Sequence, residues 1–135
     1  MPGIWLIKSE PSTYSFADLQ LAGSTRWDGV SNAAALIHLR GMRNGDEALF
    51  YHTGDQRAIV GIVRIASDPY PDPGLQDARR VVVDLIPIRS LDHPISLKSI
   101  KANRRLAKFP LVRISRLSVM PVTGEQWKKL TRNSE

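Results

Sequence analysis

The chain has 135 residues, 42% of them hydrophobic and 24% charged. These proportions fit one compact domain around a single core and exclude a large cofactor-plus-substrate enzyme, a fibrous repeat and a disordered segment. It contains no cysteine, so disulfides, thiolate zinc sites, iron–sulfur clusters and cysteine nucleophiles are excluded. Nineteen Lys and Arg against thirteen Asp and Glu leave a formal net charge of +6, which favours an anionic partner.

In chain order, Ile4-Trp5-Leu6-Ile7 is apolar on both faces and predicts a buried strand that runs into Lys8-Ser9-Glu10 and stops at Pro11. Ser15, three residues before Asp18, has capping-box spacing and opens a short helix. A loop with Gly23 and Ser24 leads to Arg26-Trp27-Asp28-Gly29-Val30, and Asn32 is an N-cap for a helix over Ala33–Met42. Ala35, Leu36, Leu39 and Met42 share one face of that helix, and Gly45 is expected to end it in a left-handed conformation.

The pattern then turns to β. Glu47–Thr53 and Ala58–Ile65 predict a hairpin around the polar turn Gly54-Asp55-Gln56-Arg57. Gly61, inside a β-branched run, marks a bend in the sheet or a close approach, with the bend preferred. Pro69, Pro71, Pro73 and Gly74 impose a loop before a third strand at Arg80–Ile86. Ser96 caps a short helix, Leu117–Met120 is a last strand closed by Pro121, and Thr123 starts a final helix with Trp127 and Leu130. About five strands with short helices describe a single α+β domain, residues 1–135, whose sheet curls toward a barrel to hide its edges. No run approaches the ~18 apolar residues of a membrane span. Met1–Trp5 lacks a signal-like segment, so a cytoplasmic location, associated with nucleoid or RNA, and no membrane partner are expected, and the protein is expected to be a monomer.

The positive charge is concentrated. Residues 1–67 carry six basic and six acidic side chains, residues 68–135 thirteen basic and seven acidic. Lys98, Lys101, Arg104, Arg105, Lys108, Arg113 and Arg116 follow one another with no acid between His93 and Gly124. Such a block either binds a phosphate backbone or simply solvates the surface.

Catalytic signatures are sparse. His38, His52 and His93 have no metal-ligand spacing, and no phosphate loop, dinucleotide turn or nucleophile elbow occurs. No metal or cofactor is therefore expected. Ser9 and His52 leave open a small hydrolase, and a small-ligand or protein-interaction module is a further alternative. The segment Trp27-Asp28-Gly29-Val30-Ser31-Asn32 supplies a π-face, a flexible glycine and a side-chain amide, the set an unpaired base needs. Each residue also has a plainer role: Trp27 as core filler, Asn32 as cap, His52 as a satisfied structural histidine. On the strand Phe50-Tyr51-His52, Phe50 and His52 face one side and Tyr51 the other.

These blocks together resemble a known family. Trp5–Pro11, Trp27–Asn32, Phe50-Tyr51-His52, Val60-Gly61-Ile62, Val83-Asp84-Leu85 and Arg116–Val122 are similar, in order and over nearly the whole chain, to the successive blocks of the EVE domain. The resemblance implies a PUA-like pseudobarrel that captures a modified base, in DNA or RNA and especially a modified cytosine, without catalysing a reaction. It also implies restriction or RNA-modification proteins as partners. The pocket it carries over is Lys8, Ser9, Trp27, Gly29, Val30, Asn32, Tyr51 and His52, with Trp27 stacking, Ser9 and Asn32 testing the polar edge, and the C-terminal basic block holding the backbone. Two places depart from the family pattern. Ser31 stands where Arg is usual, which predicts a missing positive charge beside the pocket. The loop Tyr70–Arg80 is short and lacks a Trp, which predicts a more open wall.

Overall fold

The computed structural model describes residues 3–131. Seven strands form a mixed sheet in the order β2-β6-β4-β3-β1-β7, with β5 pairing β6. They are β1 (Ile4–Ser9), β2 (Thr25–Trp27), β3 (Glu47–His52), β4 (Ala58–Ile65), β5 (Tyr70–Pro71), β6 (Val81–Ser96) and β7 (Val119–Pro121). The helices are α1 (Phe16–Ala22), α2 (Ala33–Gly41), α3 (Leu97–Ala102), α4 (Pro110–Arg113) and α5 (Gly124–Thr131), with a 3-10 turn at Arg104–Leu106. Among the described residues no helix is long and apolar enough to cross a membrane.

The sheet curls into a half-barrel, and aromatic packing proves it. Trp27 on β2 and Phe50 on β3 are three strand steps apart, about 14 Å in a flat sheet, yet their ring centroids are 5.6 Å apart. The concave side is therefore core. Leu6, Ile7, Leu49, Phe50, Val63, Val83 and Leu85 are fully buried, and the β1 run is apolar because both of its faces are covered.

Local signals explain most of the elements. Ser15 Oγ accepts from the Asp18 amide at 3.0 Å while Asp18 returns a carboxylate oxygen to the Ser15 amide at 2.9 Å, so α1 has its capping box. Asn32 Oδ1 accepts from the Ala35 amide at 3.0 Å and caps α2. Thr123 and Gln126 exchange the same reciprocal pair at the start of α5. Helix α2, however, ends at Gly41 with Met42 extended and buried, not at Gly45. Gly45 does take a left-handed φ of +98°, but in the following turn. There the buried Asp46 carboxylate accepts from the Gly3 amide (2.8 Å), Trp5 Nε1 (2.9 Å) and the Arg43 amide (2.9 Å), tying β1 to the α2–β3 turn.

Three expectations change. Seven strands replace five, because β2 and β5 span three and two residues, too few for periodicity to register. The segment holding Trp27 is consequently a strand rather than a loop, paired with Val83. The third strand continues through Pro87 and Pro94 to Ser96, sixteen residues in all. It does so because its pairing to β4 skips from Ser90 opposite Gly61 to Ile95 opposite Ile59, and the intervening bulge accommodates Pro94. Gly61 sits at the bend, and what comes close to it is a side-chain ring rather than a ligand or another backbone. Register shifts flank it, and a Cβ there would stand 2.5 Å from the Phe16 ring.

Candidate functional site

The site is built on the ends of two parallel strands. β1 pairs β3 with Lys8 opposite Tyr51 and Ser9 opposite His52, so consecutive residues point to opposite faces of the sheet. Ser9 and His52 lie on the concave, aromatic face, and Lys8 and Tyr51 on the other. The structure thus places Trp27 in one cleft, Lys8 and Tyr51 in another and Ser9 and His52 in a support, and leaves Gly29, Val30 and Asn32 outside all three.

Ser9 and His52 are the support. His52 is 8% exposed, and its Nε2 accepts from the Phe16 amide at 3.0 Å. That amide is the first of α1 and has no partner within the helix. With Nε2 accepting, Nδ1 carries the proton and donates to Gln56 Oε1 at 2.8 Å. Ser9 Oγ donates to the Tyr14 carbonyl oxygen in a short hydrogen bond. Both residues pin the segment from Glu10 to Phe16 onto the sheet, and the lone pair that a histidine base would need is already engaged. The geometry gives the Ser9–His52 hydrolase no nucleophile–base couple.

The segment they hold presents Tyr14 to Trp27. Trp27 is half-buried and meets Tyr14 at 6.2 Å and Phe50 at 5.6 Å, both edge-on, while Phe50 packs against Phe16 at 5.5 Å and His52 at 5.8 Å. Thr13, Tyr14, Thr25, Arg26, Trp27 and Asp28 line a cleft of about 330 Å³. Tyr14 lines this cleft, and its hydroxyl, buried away from the surface, has no hydrogen-bond partner among the described residues. A buried orphan hydroxyl is costly unless a ligand or water completes it. Sequence reading missed Tyr14, whose only signal was its place between the first strand and the cap of α1.

Of the eight predicted pocket residues, only Trp27 lines this cleft. Gly29 is exposed with a left-handed φ of +79°, which turns the chain after Asp28. Val30 is half-buried, and its carbonyl oxygen accepts from Arg80 Nε at 2.9 Å. Asn32 is exposed and its carbonyl is occupied by capping, leaving its amide N–H groups without a partner among the described residues. Ser31 itself lies outside the Trp27 cleft, in a neighbouring hollow where Asp77 pairs with Arg79 at 3.1 Å. Arg40, Arg79 and Arg80 line the same hollow of about 410 Å³ as Ser31, two of them delivered by the short loop before β6.

Lys8 and Tyr51 line a separate cleft with Arg57, Lys101, Leu97, Leu111 and Val112. Lys8 Nζ donates to the Ser115 carbonyl oxygen at 2.9 Å and lies 5.8 Å from the centre of the Tyr51 ring. Burial holds the Lys8 ammonium below the usual lysine range. Burial also raises the Tyr51 hydroxyl, with the Arg57 charge opposing. Lys98, Lys101, Arg104, Arg105, Lys108, Arg113 and Arg116 are all exposed along α3, the 3-10 turn, α4 and the segment after it, and none forms an ion pair among the described residues. No group of three His, Asp or Glu among those residues is placed to hold a metal ion.

A curled mixed sheet with short helices, an aromatic cleft beside its second strand and a basic face defines a PUA-like α+β half-barrel. The EVE domain family model matches residues 3–133, and the chain belongs to the EVE domain family. Thymocyte nuclear protein 1 of Rattus norvegicus is 32% identical over 157 aligned residues, covering 91% of this chain and 70% of that protein. A protein of Rhodopseudomonas palustris solved by NMR superposes with a TM-score of 0.93 at 40% identity, covering 98% of this chain and 92% of that one. Human THYN1 protein, solved in complex with DNA containing 5-methylcytosine, superposes with a TM-score of 0.90 at 28% identity, with 98% of each chain covered.

Proposed function

We propose that this chain is a nucleic-acid-binding reader that takes a modified base into the Trp27 cleft without catalysing a reaction on it. The observation that carries the reading is the cleft itself, in which Trp27 offers a half-buried aromatic surface beside the Tyr14 ring. An extruded base needs a π-face and a few hydrogen-bonding groups at its edge. Arg26 and Asp28 line the cleft, Asn32 follows with free amide donors, and the hollow beside Ser31 adds Arg40 and Arg80, Arg79 there being paired with Asp77. The human relative's complex with 5-methylcytosine-containing DNA supports cytosine modified at carbon 5 as the first base to test. Contacts to the base select, and contacts to phosphate position.

Fluorescence anisotropy with matched oligonucleotides, single- and double-stranded and carrying cytosine or 5-methylcytosine, tests this. The expected outcome is a preference for the modified strand that disappears in Trp27→Ala, with a loss of about 1 to 3 kcal/mol from stacking. Equal affinity for both bases in the wild-type protein would overturn the reading.

A further inference from the structure

We propose that the second cleft, on the face opposite Trp27, is a phosphate-binding site in which Lys8, Arg57 and Lys101 hold a sugar-linked phosphate beside Tyr51. Three cations converge on a space of about 250 Å³, and no acidic side chain pairs with any of them among the described residues. Glu10 comes near the rim at Gly54, but its carboxylate accepts from Thr53 Oγ1 at 3.1 Å and from the Ser12 amide at 3.3 Å rather than from a cation.

Lys8 is half-buried, with a single hydrogen bond, to the Ser115 carbonyl. An ammonium has three donors, so two remain for a ligand. Removing a cation from water without an anion is unfavourable, and a bound phosphate supplies the missing charge. Tyr51, largely buried, lines the cleft with the Lys8 ammonium 5.8 Å from its ring centre.

Arg57 gives an independent indication. It is the only non-glycine residue described with a positive φ, +43°, a conformation an L side chain adopts at a cost. Such strain is tolerated where something else requires the residue. Its backbone carbonyl ties the turn to α3 by accepting from the Leu97 amide at 2.8 Å, and any residue could do that. The guanidinium lining the cleft is what arginine adds.

The cleft exceeds what a bare phosphate fills, and Leu97, Leu111 and Val112 provide an apolar wall for the attached sugar. The two clefts open at the same end of β1 and β3, one bordered by Thr13 and Tyr14 after β1 and the other by Thr53 and Gly54 after β3. The source of the phosphate as a strand whose base sits against Trp27 rests on the function proposed above. The chemistry of the site does not, and a free nucleotide presents the same group.

The test is an amide chemical-shift titration of the intact protein with inorganic phosphate, cytidine 5′-monophosphate and cytidine. Phosphate and the monophosphate are expected to move the amides of Thr53, Gly54, Arg57 and Lys101, whereas cytidine is not. Arg57→Gln, at an exposed turn, and Lys8→Met are each expected to weaken the monophosphate at least tenfold. Shifts confined to Arg104–Arg116, or affinity unchanged in Arg57→Gln, would overturn the proposal. An oligonucleotide that displaces the monophosphate identifies strand phosphodiester as the ligand. One that binds without displacing it identifies the free nucleotide. Equal binding of cytosine and 5-methylcytosine oligonucleotides refutes the Trp27 reading alone, because the mononucleotide titration does not depend on it.

Discussion

The two faces of the β1–β3 pair differ in what holds their residues. On the aromatic face every group is spent: His52 on the Phe16 amide, Ser9 on the Tyr14 carbonyl, Phe50 among the rings of Phe16, Trp27 and His52. The exception is the Tyr14 hydroxyl. The other face is also covered, by Leu6, Leu49 and Tyr51, until the strand ends, where half-buried Lys8 is joined by the exposed cations Arg57 and Lys101, none with an acidic partner among the described residues. One side is an outgrowth of the core with a slot in it, and the other is a covered sheet whose outer elements, α3 to Arg116, carry an electrostatic surface. Substitutions on the first should therefore register as stability, and substitutions on that outer surface as salt-dependent binding.

The sharpest way to break that contrast is to truncate its aromatic hinge. Phe50 is fully buried beneath Trp27, and Phe50→Ala is expected to cost about 3 to 5 kcal/mol through lost burial and the cavity left behind. Thermal melting should show a fall in Tm on the order of 10 °C. A fall of only a degree or two would mean the cluster is not part of the core.

Next in size is His52→Ala. It leaves the first amide of α1 without its acceptor in a buried setting, at about 1 to 3 kcal/mol. His52→Gln, which offers an amide oxygen instead, should recover part of that loss. If both variants melt with the wild type, the hydrogen bond to Phe16 contributes nothing and the support role assigned to His52 is wrong.

The opposite face answers in a different observable. Arg104→Ala with Arg105→Ala should leave Tm nearly unchanged, since both side chains are exposed. The slope of log affinity against log salt for duplex DNA should flatten by about 2. An unaltered slope would place the strand elsewhere on the protein.

This division also explains how far the sequence could be read. Caps and turns were legible because their chemistry is local: Ser15 with Asp18, Asn32 with Ala35, Ser96 with Ser99. The fold class followed from the alternation of apolar strands and short helices. What escaped was non-local. The resemblance grouped Lys8 with Ser9 and Tyr51 with His52, as a sequence block must, but a strand sends neighbours to opposite sides. Tyr14 and Arg57 carried no signal, since a lone tyrosine before a cap and an arginine in a polar turn are ordinary until packing gives them a surrounding. Asp46, which holds three N–H donors from 41 and 43 positions upstream and 3 positions back, was equally invisible. The short strand β2 owes its existence to β6 rather than to its own composition.

The smallest expected effect tests the contrast most finely, at Arg57. If the left-handed backbone there is retained only for the guanidinium, Arg57→Gly removes strain of about 1 to 2 kcal/mol. Glycine's larger unfolded-state entropy takes back about 0.5 to 1 kcal/mol. The variant should melt at or slightly above the wild-type temperature while losing affinity for cytidine 5′-monophosphate. Arg57→Lys, which keeps both charge and strain, should melt with the wild type and retain part of the binding. Stability and affinity would then move in opposite directions at one residue, which a purely structural turn cannot produce. A drop in Tm for Arg57→Gly would show that the arginine serves the hairpin, and the basic face would lose its one strained residue as an argument for function.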